Sequence, residues 1–423
     1  MDRVLQRVLR SFIQRGTLRV TTARGTVLQL GDATGAPVCI RFTTSAAEWR
    51  VILDPELAVG ECYMDGTLVV EQGTIADFLE LAVSNMSTLP RNRWTKVIER
   101  LRWIGRRVLQ WNTAWRARHN ASHHYDIDYR IYRLFLDRDM QYSCAYFEHD
   151  DDSLETAQSA KRRHISAKLF LDRPGLRVLD IGSGWGGLGL HLARHHAASV
   201  VGINLSEEQV KIARRRAAQE NLPCEFRIQD YRQVSEEFDR IVSVGMFEHV
   251  GKAYYDAFFE NCHRLLRDDG VMLLHTVGRW DGPSDTNPWV WKYIFPGGYA
   301  PALSELAPAI ERSKFIITDV EVLRLHYAHT LHAWRMAFDA QRAEVHKVFA
   351  GDPKLTERFG SAERFIRMWD FYLAGFEQFF KYYGLTVFQI QLTKKLDQLP
   401  ISRSYIYESL HDEDRRGSLQ AAE

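Results

Sequence analysis

Val178-Leu-Asp-Ile-Gly-Ser-Gly-Trp-Gly-Gly187 reads as an apolar strand that ends in Asp180, turns through glycines and enters a helix near Leu188. Four glycines in six positions cost more chain entropy than a tight turn requires. The stretch therefore reads as a place where backbone approaches a ligand: Gly182, Gly184 and Gly187 are expected to take positive φ, and the helix start offers unpaired N–H groups. A nucleotide-like ligand is the natural occupant of such a turn.

The spacing of Gly182, Gly184 and Gly187 also satisfies the dinucleotide fingerprint G-x-G-x-x-G, a weak match by itself. A nicotinamide site needs a carboxylate about 20 residues on for the ribose, but the next strand, Ser199-Val-Val-Gly-Ile203, runs into Asn204-Leu-Ser206. Asp180 instead stands at the strand's carboxyl end, where it faces a cationic or amino-bearing ligand. That combination points to S-adenosylmethionine.

Outward from this turn the chain alternates strand and helix. Helical patterns at 206–219 and 254–266 separate strand patterns at 225–228, 240–244 and 271–276, which predicts a doubly wound parallel α/β sheet. A strand at 315–323, long helices from Leu331 and Ala362 and a late strand at 385–394 complete it; the late strand fits the antiparallel seventh strand of a class I, Rossmann-like methyltransferase sheet. Between Gly278 and Ala309 an aromatic insert, Trp289-Val-Trp-Lys-Tyr-Ile-Phe-Pro-Gly-Gly298, interrupts the alternation beyond the strand carrying His275. Open sheets bind substrates there.

The 423 residues, 45% of them apolar, suffice for more than one core. Residues 1–88 read as a small α/β domain with β-branched segments at 26–30, 38–42 and 48–53 and a helix over 75–84. Residues 89–122 read as a linker helix in which Arg91, Arg93, Lys96, Arg100, Arg102, Arg106, Arg107, Arg116 and Arg118 face a single Glu99, with Trp94, Trp103, Trp111 and Trp115 interleaved. Such a helix suits an anionic membrane surface. It equally suits a solvated linker whose tryptophans pack on a neighbouring domain. Residues 123–405 form the expected catalytic domain and 406–423 a polar tail.

Lys plus Arg total 55 against 54 for Asp plus Glu, so no global field points to nucleic acid. The cysteines Cys39, Cys62, Cys144, Cys224 and Cys262 form no C-x-x-C pair, which argues against structural zinc and suits free thiols in the cytoplasm; no metal site is expected. No run of about 18 apolar residues occurs, and Met1 to Arg19 alternates basic and apolar residues at helical spacing. A cytoplasmic chain without a span or export signal is expected.

Seven segments then carry a resemblance: Gln141-Tyr-Ser-Cys-Ala-Tyr146, Leu179 to Gly187, Gln229-Asp-Tyr231, Ile241-Val-Ser-Val-Gly-Met-Phe-Glu-His-Val-Gly251, Leu273-Leu-His-Thr276, Ile294-Phe-Pro-Gly-Gly298 and His326-Tyr-Ala-His-Thr-Leu331. In this order they resemble the cyclopropane-fatty-acid synthases, which methylenate double bonds of phospholipid acyl chains, and the related mycolic acid methyltransferases. The resemblance covers about residues 123 to 395. It implies cofactor contacts at Tyr142 and Ser143, along Val178, Leu179, Asp180, Ile181, Gly182, Ser183, Gly184, Trp185 and Gly186, at Asn204, Leu205, Ser206 and Gln209, and at Asp230 and Tyr231. It also implies a bicarbonate held by Cys144, Glu248, His275 and Tyr327 near the Val277 backbone, a phospholipid bilayer as partner at the inner face of the membrane, and a homodimer.

The implied chemistry needs a base. An alkene takes the sulfonium methyl through a developing carbocation, which aromatic faces stabilise, and the new methyl must then lose a proton for the ring to close. Glu248 and bicarbonate repel if both are charged, so one of them carries a shared proton. Singly, Cys144 reads as a small buried residue, Tyr327 as a core aromatic and His275 as a strand-end group; jointly they favour function. His249 reads as structural. Three departures from the family pattern stand out: Asp128 and Tyr129 in His124-Tyr-Asp-Ile-Asp-Tyr129, Ser183 in the glycine loop, and Phe376 where many relatives carry a cysteine. A methyl-branching enzyme and a non-catalytic lipid-binding protein are the alternatives.

Overall fold

The computed structural model describes residues 2–88 and 129–408. The basic, Trp-rich stretch at 89–122, Asp128 and the tail beyond 408 lie outside them.

Seven strands form the main sheet: β5 (Arg177–Ile181), β6 (Ser199–Asn204), β7 (Cys224–Ile228), β8 (Phe238–Val244), β9 (Leu266–Arg279), β10 (Ile316–Val322) and β11 (Leu385–Thr393), after β1 to β4 of the N-terminal region. Their order is β10-β11-β9-β8-β5-β6-β7. Pairs from β9 through β7 are parallel, and β11 inserts antiparallel between β9 and β10. This is the class I methyltransferase arrangement expected from the alternation. Val178, Leu179 and Ile181 on β5 and Ile241 and Val242 on β8 are buried on both faces, as central parallel strands require. The winding reverses between β5 and β8, so the carboxyl ends of these two strands open a crevice.

The helices follow the expected spans closely. Glu207–Glu220 is capped by Ser206, whose side chain accepts the Gln209 N–H, and Tyr255–Leu265 buries Phe258, Phe259, Cys262 and Leu265 on one face. The helix expected from Leu331 begins earlier, at His326.

The N-terminal sheet has the order β2-β1-β3-β4, built from Leu18–Thr21, Val27–Leu30, Val38–Phe42 and Leu68–Gln72. One expected segment is corrected here. Residues 48–53 belong to a helix, Ser45–Leu53, because Thr44 caps it and Ala47, Glu48 and Val51 are buried at helical spacing. Glu48 tolerates burial by accepting the Ala23 N–H at 2.6 Å.

The helix Ala362–Tyr382 joins the two regions. Its Phe371 and Ala374 pack into the N-terminal core, while Trp369, Tyr372 and Leu373 enter the aromatic core of the larger sheet. Trp289 of the insert is buried against Phe371 and donates through Nε1 to Met64 Sδ at 3.3 Å. The insert is thereby held over the carboxyl end of β9.

Candidate active site

The glycine loop positions the first cavity. Gly182, Gly184 and Gly186 have φ of 85°, 53° and 82°. Gly187 does not; it opens the helix Gly187–His196, and a Cβ there would lie 2.5 Å from the Asp139 carbonyl oxygen. The third left-handed position is thus Gly186, and Gly187 is required by the close approach of another segment.

This cavity is lined by Tyr142 and Ser143, by Asp180, Ile181, Gly182, Ser183, Gly184 and Trp185, by Asn204, Leu205 and Gln209, and by Asp230 and Tyr231. Four expected contacts are not on its wall. Val178 and Leu179 point into the cores on either side of the sheet, Gly186 packs on Phe226, and Ser206 is occupied as a helix cap.

Asp180 is 2% exposed, and its Oδ2 has no hydrogen-bond partner. Burial pushes its carboxyl up to about 7, against the opposing pull of Lys161. A cationic ligand would restore its charge. Asn204 Nδ2 donates to Gln209 Oε1 at 2.7 Å, which leaves the buried Nε2 of Gln209 without a partner beside the cavity. Such a donor suits a hydroxyl-bearing ligand. Asp230 is tied to Arg232 at 2.6 Å and also caps the turn that carries Tyr231.

The second cavity adjoins the first and shares Tyr142, Ser143, Gly245 and His249 with it. Cys144, Glu248, His275 and Tyr327 all line it, with Phe295, Tyr299, Phe376, Phe379 and Tyr383 supplying aromatic walls. The sheet explains why Glu248 and His275 meet. Glu248 sits in a single helical turn after β8, and His275 lies on the neighbouring β9, where it pairs with Val244.

Glu248 Oε1 accepts the Val277 N–H at 2.6 Å, whereas Oε2 is shielded from solvent and unpartnered. Burial raises this carboxyl to about 7 despite the stabilising backbone hydrogen bond. Gln389 Nε2 lies 3.1 Å from His275 Nδ1. With Gln389 donating, the neutral imidazole carries its proton on Nε2. Burial pulls His275 down to about 3, so it remains neutral at any physiological pH. The Cys144 thiol lies 3.3 Å from the Ala145 carbonyl, and burial pushes its pKa up, which keeps it protonated. Tyr327 is 8% exposed and packs on Phe380 and Trp334.

Sequence reasoning missed several wall residues. His249, read as structural, lines both cavities, and burial lowers its imidazole to about 4. Phe376, noted only as a missing cysteine, faces the second cavity. The strongest missed signal was a polar pair, Gln158 and Lys161, on the helix Leu154–Lys168, which also buries Ala157, Ala160, His164, Ile165 and Lys168.

Comparison with known proteins gives the relatives of the chain. A family model described as mycolic acid cyclopropane synthetase matches residues 112–390. The chain is 36% identical over 362 residues to the cyclopropane-fatty-acyl-phospholipid synthase of Escherichia coli (strain K12), covering 86% of this chain and 89% of that protein. It is 38% identical over 299 residues to a probable fatty acid methyltransferase of Pseudomonas putida, covering 68% and 73%. The solved mycolic acid cyclopropane synthase CmaA1, complexed with SAH and CTAB, superposes with a TM-score of 0.59 at 33% identity, covering 65% of this chain and 97% of that one.

Proposed function

This chain belongs to the mycolic acid cyclopropane synthetase family, and on that footing we propose that it transfers the methyl carbon of S-adenosylmethionine to a cis double bond of an unsaturated phospholipid acyl chain and closes a cyclopropane ring after bicarbonate-assisted deprotonation. The observation that carries this reading is the junction of two cavities at Tyr142, Ser143 and Gly245, with a buried polar set on the far side. Asp180 and Gln209 suit the donor's amino and ribose groups in the first cavity. The aromatic walls of the second suit an acyl chain and a developing carbocation.

The polar set offers a small anion two open groups. Glu248 Oε2 is unpartnered, and His275 can present Nε2–H. Glu248, its carboxyl raised by burial to about 7, can share a proton with an anion where a fully ionised carboxylate would repel it. One implied contact does not fit: the Val277 N–H is already taken by Glu248. Bicarbonate, when bound, would supply the base that accepts the methyl proton. Glu248 and His275 would orient it, Tyr327 would close the cavity over it, and the protonated Cys144 thiol would take no nucleophilic part.

Among the described residues no helix is long and apolar enough to cross a membrane. Peripheral association with the inner face of the bilayer, and a homodimer, are part of the proposal. So is the domain division at residues 88, 122 and 405.

The test is mass spectrometry of host lipids after expression. Loss of unsaturation with a gain of one methylene's mass supports the reading, and unchanged lipids count against it. The similarity to a probable fatty acid methyltransferase keeps methyl branching as a second reading; fragmentation of the product separates a ring from a branch.

A further inference from the structure

The helix Leu154–Lys168 lies behind the segment Gln141–Ser143, and two of its residues, Gln158 and Lys161, are 0% exposed. They stand three residues apart and so share a face. Gln158 Nε2 donates to the carbonyls of Gln141 and Ser143 at 3.3 and 3.0 Å. Lys161 Nζ donates to Gln141 Oε1 at 2.5 Å and to Ser143 Oγ at 2.9 Å. Gln141 lines the first cavity, and Ser143 lies on the wall common to both.

A lysine is a costly choice for this place. Burial pulls its amine down to about 7, with Asp137 pulling the other way, and Gln158 already pins the backbone. What Lys161 adds is control of two side chains. Both of its contacts are to oxygens that accept from it, and in its charged form it has no acceptor of its own, so the oxygens of Gln141 and Ser143 turn toward it. The Ser143 hydroxyl hydrogen and the Gln141 amide N–H are then left to donate elsewhere. Gln141 Nε2 lies close beside Gly187 at the helix start, where helix N–H groups also point outward.

We propose that Lys161 is a positioning residue for methyl transfer, which acts through Ser143 and Gln141 to hold donor groups toward the bound S-adenosylmethionine at the junction of the two cavities. The assignment rests on the proposed function of the first cavity. Lys161 itself touches neither cavity, so its effect is on the orientation of Ser143 and Gln141 and through them on donor binding.

The experiment is calorimetric titration of the full chain with S-adenosylmethionine and S-adenosylhomocysteine, together with steady-state kinetics, for wild type, Lys161→Met, Ser143→Ala and the double variant. Lys161→Met is expected to weaken both ligands about tenfold or more and to raise KM for the donor more than it lowers kcat. In the Ser143→Ala background the same substitution should cost clearly less, because one of its two acceptors is already gone. Unchanged affinity in a folded Lys161→Met variant overturns the proposal, as do fully additive losses, which mark a merely structural lysine. Should Lys161→Met fail to fold, Ser143→Ala alone decides, and unchanged donor affinity there overturns the assignment. Wild-type protein that binds neither ligand overturns the methyl-donor reading of the cavity, and the role of Lys161 with it.

Discussion

Glu248 accepts the backbone N–H of Val277 at 2.6 Å, a bond that ties the carboxylate following β8 to the strand that carries His275. The bond uses one oxygen and leaves Oε2 unpartnered against the cavity. Geometry and protonation are thereby set together, since the same burial that fixes the side chain raises its pKa.

Glu248→Gln keeps an acceptor for Val277 and removes the capacity to exchange a proton. Turnover should fall about 10²-fold or more while donor affinity stays within a few-fold, because Glu248 does not line the first cavity. Radiolabelled methyl transfer and calorimetry measure the two quantities separately. Retained turnover would remove Glu248 from the mechanism.

The same substitution should stabilise the protein in a pH-dependent way. The ordinary value for this carboxyl is 4.5 and the folded value is about 7, so between those limits the unfolded chain has released a proton that the folded chain keeps. Stability from this group is complete below about pH 4.5 and declines as pH rises toward 7. Glutamine does not titrate. The stability gain of Glu248→Gln over wild type, followed as the difference in Tm, should therefore grow by on the order of 2 kcal/mol from pH 5 to pH 8. An equal gain at both pH values would contradict the raised pKa.

Two alanine substitutions in the glycine loop should differ sharply. At Gly182 a Cβ would lie 2.7 Å from Met246 Cβ with φ at 85°, whereas at Gly184 nothing lies within 4 Å. Gly184→Ala should cost about 1 kcal/mol from its left-handed backbone alone and retain donor binding. Gly182→Ala should displace Met246 into the cavity and weaken binding about tenfold or more. Thermal melts and donor titration would show the contrast, and equal effects would refute it.

Gln389→Leu removes the group that holds His275 Nδ1. The orphaned imidazole nitrogen should cost about 1–3 kcal/mol, and loss of a defined tautomer should lower kcat roughly tenfold without altering KM for the donor. Gln389 is fully buried and absent from the walls of both cavities. An unchanged kcat would mean that His275 needs no fixed orientation.

How much of this was legible in the chain follows from the range of the interactions involved. The turn from Val178 to Gly187, the alternation of strand and helix and the late antiparallel strand rest on local periodicity and backbone freedom, which neighbouring residues dictate. Residues 48–53 misled because their apolar pattern fits a strand when read alone; the cap at Thr44 and burial against a sheet decide for helix. Gly186 and Gly187 exchanged roles for the same reason, since the carbonyl of Asp139 that excludes a Cβ at Gly187 comes from a segment nearly fifty residues earlier.

By itself, then, the sequence determined the sheet, its crevice and the chemical types gathered near it, because strand order follows from the winding of local units. Only the tertiary structure decided which atoms of Glu248, His275 and Asp180 are paired, which remain open and what burial does to their protons. It also decided that Lys161 stands behind Ser143. Desolvation and hydrogen bonding depend on every element packed around a group, and those elements are far apart in the chain.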